Sequence, residues 1–430
     1  MPKGKKDKNP KGRHAGRGLP EDLSSEFDDK DSLADLESVV SGVSEATSQN
    51  DSEKEQEEIE ALEEKLKEAI DGLYEKSTQG RAGFLEYLLK SFQSRLLTDF
   101  LSTRYETLAD SMERCLRKGR GPEQGAAASV TAAAMLQLGD DGTIFLFNSV
   151  HPILLTLLSD KSVPASARAR IAEALGFLTF ICGDNLDAFQ STMKALESVF
   201  GLAYPRGCGS GTGGFNPDMF ALIGAALCSW TLLVSLLPPE QLGNFVERHL
   251  EKLPGLLDST DLGLRIACGE CIALVYEILR EQDEDFEILA HDDLCDKLRL
   301  LATDSQKFRA KKDRKQQRSS FREILRTVEE NEYPLESMKF GKEILRLDSW
   351  SRKVQYDNFC TLLGPGTNYH LASNELIRDI FGLGSVIPSD ERRAGKVSKM
   401  DRHLSNMATF KARTKARNKT RDKRAYNDDY

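Results

Sequence analysis

The spacing of apolar residues predicts helices along most of the chain. Between Ile59 and Leu73, large apolar side chains recur every three or four residues among glutamates and lysines, which is the period of an amphipathic helix. Further apolar faces follow at short intervals, over 84–101, 105–116, 126–138 and 144–158. We find no run with the two-residue alternation of a strand, so the pattern predicts an all-α chain.

Three segments share one plan, in which a Leu-Leu helix end is followed by a polar turn, an arginine and a second helix: 157–181, 256–279 and 300–325. Small residues recur inside helices at steps of 40, 52 and 45 residues, at Ala134, Ala174, Ala226 and Cys271. Armadillo and HEAT repeats have periods of roughly 40 to 47 residues. We therefore expect an armadillo/HEAT-like helical solenoid with one extended binding surface.

The composition changes along the chain and predicts four regions. Residues 1–54 have few large apolar side chains, so this charged N-terminal segment should be disordered in the free protein. The armadillo-like repeat domain is expected over 55–330 and a small helical C-terminal domain over 331–388. A basic tail with an RNA-binding helix should occupy 389–430.

The small C-terminal domain is predicted to be a separate module built from two helices. Ser349 is a suitable N-cap for the first helix, which Gly364, Pro365 and Gly366 should end. The second helix should carry apolar residues from Leu371 to Phe381 and end at Gly382. These apolar residues are expected to form a core.

The net charge of -9 conceals blocks of opposite sign. Residues 1–18 contain seven lysines and arginines against one acid, whereas 21–68 contain four against eighteen acids. The segment 392–424 contains thirteen cations against two acids. The acidic block therefore masks two basic segments, and the basic tail suits a polyanionic partner.

The third copy of the repeat plan is strongly basic. From Lys307 to Arg326 it contains nine cations against two acids, where the other copies place mainly small or apolar residues. Such charges cannot be buried unless they are paired, so this helix either caps the solenoid with a solvated face or contacts RNA. The candidate contacts are Arg309, Lys311, Lys312, Arg314, Lys315, Arg318 and Arg322.

Cations occupy every second position of the tail between Lys411 and Lys423. On a helix such positions are about 200° apart, so the charge surrounds the helix and suits a channel lined with phosphate. The candidate RNA-binding residues are Lys411, Arg413, Lys415, Arg417, Lys419, Arg421, Lys423 and Arg424. A nuclear localisation signal or a nonspecific solvated tail would explain the same residues.

No motif for catalysis, metal or nucleotide is convincing. The spacing G-x-G-x-x-G at 209–214 lacks a preceding strand, and Cys268 and Cys271 form a single C-x-x-C pair within an apolar helix. We expect no enzymatic activity, cofactor, metal or small-molecule substrate. The chain shows neither an export signal nor about 18 uninterrupted apolar residues, so no membrane partner is expected and the protein should be cytoplasmic, with the nucleus left open.

Long runs of this sequence resemble the interferon-related developmental regulators. They are 61–73, 107–121, 299–325, 348–366, 370–384 and 403–425, whereas 385–399 departs from the family pattern. The resemblance implies an armadillo-like domain followed by a small C-terminal domain. It also carries the family's basic-helix residues over to Lys411, Arg413, Lys415, Arg417, Arg421, Lys423 and Arg424.

The resemblance implies a ribosome-binding translational regulator. Members of the family bind idle ribosomes and lay the C-terminal helix in the tRNA and mRNA path, so ribosomal RNA is the expected partner. Other members are described as transcriptional co-regulators that act with histone deacetylase complexes. A nuclear adaptor that binds co-repressor proteins therefore remains the alternative.

Overall fold

The computed structural model describes residues 52–183, 185–204, 214–303 and 310–387. Almost all of the segment predicted to be disordered, and the whole basic tail from residue 389, lie outside the described residues. Within the described part, helices dominate and a single two-stranded sheet is present.

The repeat region contains thirteen helices in its described part. In chain order they are α1 (Ser52–Gly72), α2 (Thr78–Ser94), α3 (Thr98–Ser102), α4 (Tyr105–Lys118), α5 (Pro122–Met135), α6 (Asp140–Ser159), α7 (Ala165–Ile181), α8 (Leu186–Phe200), α9 (Pro217–Val234), α10 (Pro239–Leu250), α11 (Leu262–Arg280), α12 (His291–Thr303) and α13 (Lys311–Glu330). The C-terminal region then adds β1 (Glu336–Phe340), β2 (Glu343–Leu347), α14 (Trp350–Leu363), α15 (Thr367–Ser373) and α16 (Glu375–Ile380). Short 3-10 turns lie at Gly201–Ala203, Leu253–Asp258 and Gly364–Gly366.

Six helices of the solenoid stack in a row, in the order α2, α5, α7, α9, α11 and α13. Small residues allow this close packing. A Cβ atom added to Gly176 on α7 would lie 2.6 Å from the Cβ of Ser229 on α9, and one added to Gly269 on α11 would lie 2.6 Å from the Cδ1 of Ile324 on α13. The predicted armadillo-like solenoid is confirmed.

The arginine of the repeat plan closes the turn between the two helices of a unit. Arg168 donates from Nε to the carbonyl of Leu158 at 2.8 Å, and Arg265 donates from Nη1 to the carbonyl of Ser259 at 2.5 Å. Both side chains are buried. Because a buried carbonyl without a partner costs free energy, these arginines stabilise the turns that the plan predicts.

The C-terminal region runs back across the solenoid from its last repeats to its first. Gln355 on α14 donates to the Ser235 hydroxyl at 3.1 Å, Leu362 accepts from Gln93 at 2.6 Å, and Asn374 donates to the Leu136 carbonyl at 2.7 Å. Apolar residues of α14 belong to the same core as the repeats. The chain thus covers much of one face of its own solenoid, and the predicted module is not separate in its packing.

Ser349 caps α14 as predicted, through its hydroxyl and the amide of Arg352, but two details of the C-terminal region differ from the sequence analysis. The expectation of no strands is wrong at 336–347, where β1 and β2 pair antiparallel around a turn with Gly341 at φ 55°. The predicted second helix is two helices. The side chain of Asn374 separates them, because it caps α16 by accepting from the amide of Ile377.

Two solenoid helices, α6 and α9, are long and apolar enough to cross a membrane by length and composition alone. In each helix, 56% of the apolar stretch is buried inside the protein. Core helices of soluble proteins can have the same length and composition. Length and composition alone therefore do not show that either helix crosses a membrane. The expected absence of a membrane partner stays a prediction.

Candidate nucleic-acid interface

Helix α13 is buried on one side only. Its inward residues recur every three or four positions and pack against α11 and α12: Gln317, Phe321, Ile324, Thr327 and Val328. Gln317 accepts from the Arg265 guanidinium at 2.8 Å and donates to the Leu301 carbonyl at 3.2 Å. These contacts hold the helix in a fixed orientation on the solenoid.

The end of α13 is fixed by a second buried arginine. Arg280 on α11 donates to the carbonyls of Thr327 at 2.7 Å and Val328 at 2.9 Å. Asn331 then ends the helix in the left-handed region at φ 56°. The carbonyls of Thr327 and Val328, in the last turn of α13, are thereby satisfied within the fold.

The opposite side of α13 carries the predicted cations. Lys311, Lys312, Lys315 and Arg322 are exposed, and Arg314 and Arg318 are half-buried. Lys315, Arg318, Arg322 and Arg326 lie three or four positions apart, so they form one stripe along the helix, and they line a shallow cleft. We call the cations of α13 from Lys311 to Arg326 the basic face.

The predicted RNA-binding role of these residues stays a prediction. Six of the candidates lie together on the basic face, but Arg309 lies outside the described residues. The eight candidates of the tail also lie outside them: Lys411, Arg413, Lys415, Arg417, Lys419, Arg421, Lys423 and Arg424. The structure therefore brings together only the candidates of the third repeat.

A buried arginine links the hairpin to the last described residues of the chain. The guanidinium of Arg378 pairs with both carboxylate oxygens of Glu343 on β2, at 2.9 and 2.7 Å. The same side chain donates to the carbonyls of Leu383 at 3.0 Å, Gly384 at 2.8 Å and Ser385 at 3.0 Å. The hairpin of β1 and β2 and the segment that precedes the basic tail are thus held at one place.

Lys353 on α14 links the basic face to the hairpin. Its ammonium forms ion pairs with Glu336 on β1 and, at 3.9 Å, with Glu323 on α13. Burial lowers the pKa of Lys353, but the hydrogen bond to Glu336 and the nearby carboxylates outweigh it, so the net direction is upward. Lys353 therefore stays charged and links α14 to both α13 and β1 through ion pairs.

Three carboxylates line a cavity of about 190 Å³ between the solenoid and α14: Glu173, Glu270 and Asp357. Burial, together with the neighbouring Asp357 carboxylate, raises the pKa of Glu270 to about 8. Burial likewise raises the pKa of Asp357 to about 6, against the effect of Lys353. Part of this acidic cluster is therefore protonated near neutral pH.

Buried cysteine and histidine side chains lie in structural positions. Cys268 donates to the Leu253 carbonyl at 3.0 Å, and burial raises its pKa well above the usual range. His151 and His370 are buried, and burial lowers the pKa of both. Within the described ranges, no group of three or more His, Cys, Asp or Glu residues could hold a metal ion.

The stacked helices and the one-sided basic face define an armadillo-like helical-repeat protein. Residues 37–329 match the family model of the interferon-related developmental regulators, and 374–425 match that of the interferon-related protein conserved region. The chain belongs to the interferon-related developmental regulator family.

Relatives match nearly the whole chain. It is 43% identical to interferon-related developmental regulator 2 of Mus musculus, over 92% of this chain and 90% of that protein. It is 40% identical to interferon-related developmental regulator 1 of Homo sapiens, over 85% and 82% of the two chains. A shorter match, 26% identical over 40% of this chain and 43% of the relative, is to an uncharacterized protein of Schizosaccharomyces pombe.

Among solved structures, the chain is similar to a computationally designed armadillo repeat protein for modular peptide recognition. The identity is 14%, the match covers 60% of this chain and 99% of that chain, and the TM-score is 0.37.

Proposed function

We propose that this protein is a non-enzymatic regulator of translation that binds the ribosome through RNA. The observation that carries the proposal is the basic face of α13, in which six predicted contact residues lie together on one outward side of a rigidly held helix. Exposed cations on a fixed helix bind phosphates without first paying the cost of ordering the backbone. Family membership supports the same function.

In this proposal the basic face contacts ribosomal RNA while residues 405–424 occupy the tRNA and mRNA path as a helix. Alternation of cations with Ala, Thr and Asn in 411–424 suits a channel with phosphate on all sides. The protein would act in the cytoplasm and would need no cofactor or small-molecule substrate.

Sedimentation of the full chain with ribosomes at low salt tests this function. We expect co-sedimentation and inhibition of a cell-free translation extract, with both weakened when 405–430 is deleted. Replacing Ala412, Thr414 and Ala416 with Pro should abolish inhibition, because proline inside a helix costs about 3 kcal/mol. A chain that sediments apart from ribosomes would exclude the proposal, and full inhibition by the triple-proline variant would exclude the inserted helix.

A second candidate function, a nuclear adaptor for co-repressor proteins, is supported by a groove at one edge of the solenoid. The groove has apolar walls that include Leu138 and Phe147 and an acidic rim that includes Asp99, Asp140 and Glu375. Such a groove suits an extended peptide with apolar and basic residues. Association with histone deacetylase complexes in nuclear extract, without ribosome binding, would favour this function.

A further inference from the structure

The two faces of the hairpin of β1 and β2 carry side chains of opposite charge. Its inner face carries Glu336 and Glu343, and each carboxylate is paired with a buried or half-buried cation, Lys353 or Arg378. Its outer face exposes Ser337, Lys339, Ile344 and Arg346. The acids are therefore neutralised on the inside and the cations face solvent.

The register places the two outer cations close together. Ser337 lies opposite Arg346 and Lys339 lies opposite Ile344, so Lys339 and Arg346 are diagonal neighbours on one face. Diagonal positions on paired strands lie about 7 to 8 Å apart, within reach of long side chains. The turn between the strands adds an exposed lysine, Lys342.

The hairpin is linked both to the basic face of α13 and to the last described residues of the chain. Lys353 joins its first strand to α13, because it pairs with both Glu336 and Glu323. Arg378 joins its second strand to the carbonyls of 383–385, directly before the basic tail. Both links are internal, so the position of the hairpin relative to α13 and to residues 383–385 is fixed.

We infer that the outer face of the hairpin is a further phosphate-contacting element, which extends the basic face of α13 into one larger RNA-binding surface. The inference rests on the proposed function. Two exposed cations at fixed spacing on a strand face, with their neighbouring carboxylates turned inward and paired, complement the phosphates of an RNA backbone. An acidic protein surface would also complement such a face. The salt dependence of ribosome binding distinguishes an RNA partner from an acidic protein partner.

Binding of the full-length chain to salt-washed ribosomes, measured over a series of salt concentrations, tests the inference. The test variant is Lys339→Gln with Arg346→Gln, and the matched control is Lys161→Gln with Lys194→Gln, which removes two exposed lysines from the first half of the solenoid. We expect the test variant to bind about tenfold more weakly near 0.1 M salt. Its log-log salt slope should be smaller by about 1.4 to 1.8, since each lost phosphate contact removes about 0.7 to 0.9.

The charge-conserving variant, Lys339→Arg with Arg346→Lys, should bind like the wild type, and the control should keep the wild-type slope. An unchanged affinity and slope in the test variant, while the wild type binds, would overturn the hairpin inference alone. Weaker binding with an unchanged slope would also overturn it, because the loss would not come from phosphate contacts. If the wild type does not bind ribosomes, the proposed function fails and the inference fails with it.

Discussion

Helices α11 and α13 follow the same sequence plan, but most of α11 is buried whereas α13 is buried on one side only. Both contain the sequence Glu-Ile-Leu, at 277–279 and 323–325. Helix α11 packs against α9, α13 and α14, and most of its residues are buried. Helix α13 packs against α11 and α12, and in the part of the chain that the structure describes no further repeat follows it. The number of helices packed against a repeat helix, more than its sequence plan, therefore decides which of its faces can carry charged side chains.

The equivalent glutamates show how one position is used in two ways. Glu277 on α11 accepts from the amides of Trp350 at 2.7 Å and Ser351 at 3.1 Å, so it satisfies the amino end of α14. Glu323 on α13 pairs with Lys353 one turn further along α14. Both carboxylates therefore fasten the C-terminal region to the solenoid, one through backbone amides and one through an ion pair.

Removing the buried side of α13 should have the largest effect. Phe321 is fully buried against α11, so Phe321→Ala should lower the free energy of unfolding by about 3 to 5 kcal/mol. The control is Arg322→Ala on the exposed side, which should change it by less than about 0.5 kcal/mol. Chemical denaturation measures both, and similar losses would contradict the one-sided packing of α13.

The two glutamates should differ in their contribution to stability. Glu277→Gln removes one acceptor oxygen from buried amides and should cost about 2 to 3 kcal/mol. Glu323→Gln should cost less than about 1 kcal/mol, since Lys353 keeps its ion pair with Glu336. Thermal unfolding of both variants checks the difference, and a larger loss from Glu323→Gln would reverse the assignment.

The acidic cavity on α11 should make stability depend on pH. Because the folded-state pKa of Glu270, about 8, lies above its ordinary value of 4.5, the folded state holds the proton more tightly than the unfolded state. Stability should therefore fall as pH rises from about 4.5 to 8, and Asp357 should add to the fall up to pH of about 6. The charged groups around the cavity are Glu173, Glu323, Glu336 and Lys353.

We expect a loss of more than about 1 kcal/mol across that window, because a shift of one pKa unit corresponds to about 1.4 kcal/mol. In Glu270→Gln the loss should be clearly smaller, and the variant should be more stable than the wild type at pH 8. Unfolding curves at pH 5, 6.5 and 8 measure this. A wild-type stability that rises with pH over this range would show that the cluster is ionised at little cost.

The cations at the start of α13, of which three are exposed and Arg314 is half-buried, should matter least for stability. Replacing Lys311, Lys312, Arg314 and Lys315 with Glu should change the free energy of unfolding by less than about 1 kcal/mol in total, because surface charges seldom hold a fold. The same variant should bind ribosomes more weakly and with a shallower salt slope. A marked drop in the unfolding temperature would show that these residues are structural.

Much of the fold could be predicted from the sequence because helix periodicity is a local property. Ser349, the apolar spacing and the aligned arginines at 168 and 265 all mark helices and turns that the structure contains. The hairpin was missed, although Ser337 and Lys339 alternate with Met338 and Phe340. The alternation lasts only five residues in each strand. Glu336 and Glu343 also interrupt the apolar pattern of the inward face.

The sequence by itself determined which segments form helices, that they repeat, and that the third repeat is basic, because these depend on neighbours within a few turns. Only the tertiary structure decided that 349–383 lies back across the solenoid, that Lys353 and Arg378 link the hairpin to α13 and to 383–385, and that three carboxylates meet in one cavity. Contacts between residues up to 278 positions apart, such as Phe92 with His370, leave no mark on local periodicity. They arise from shape and burial, which the whole chain sets together.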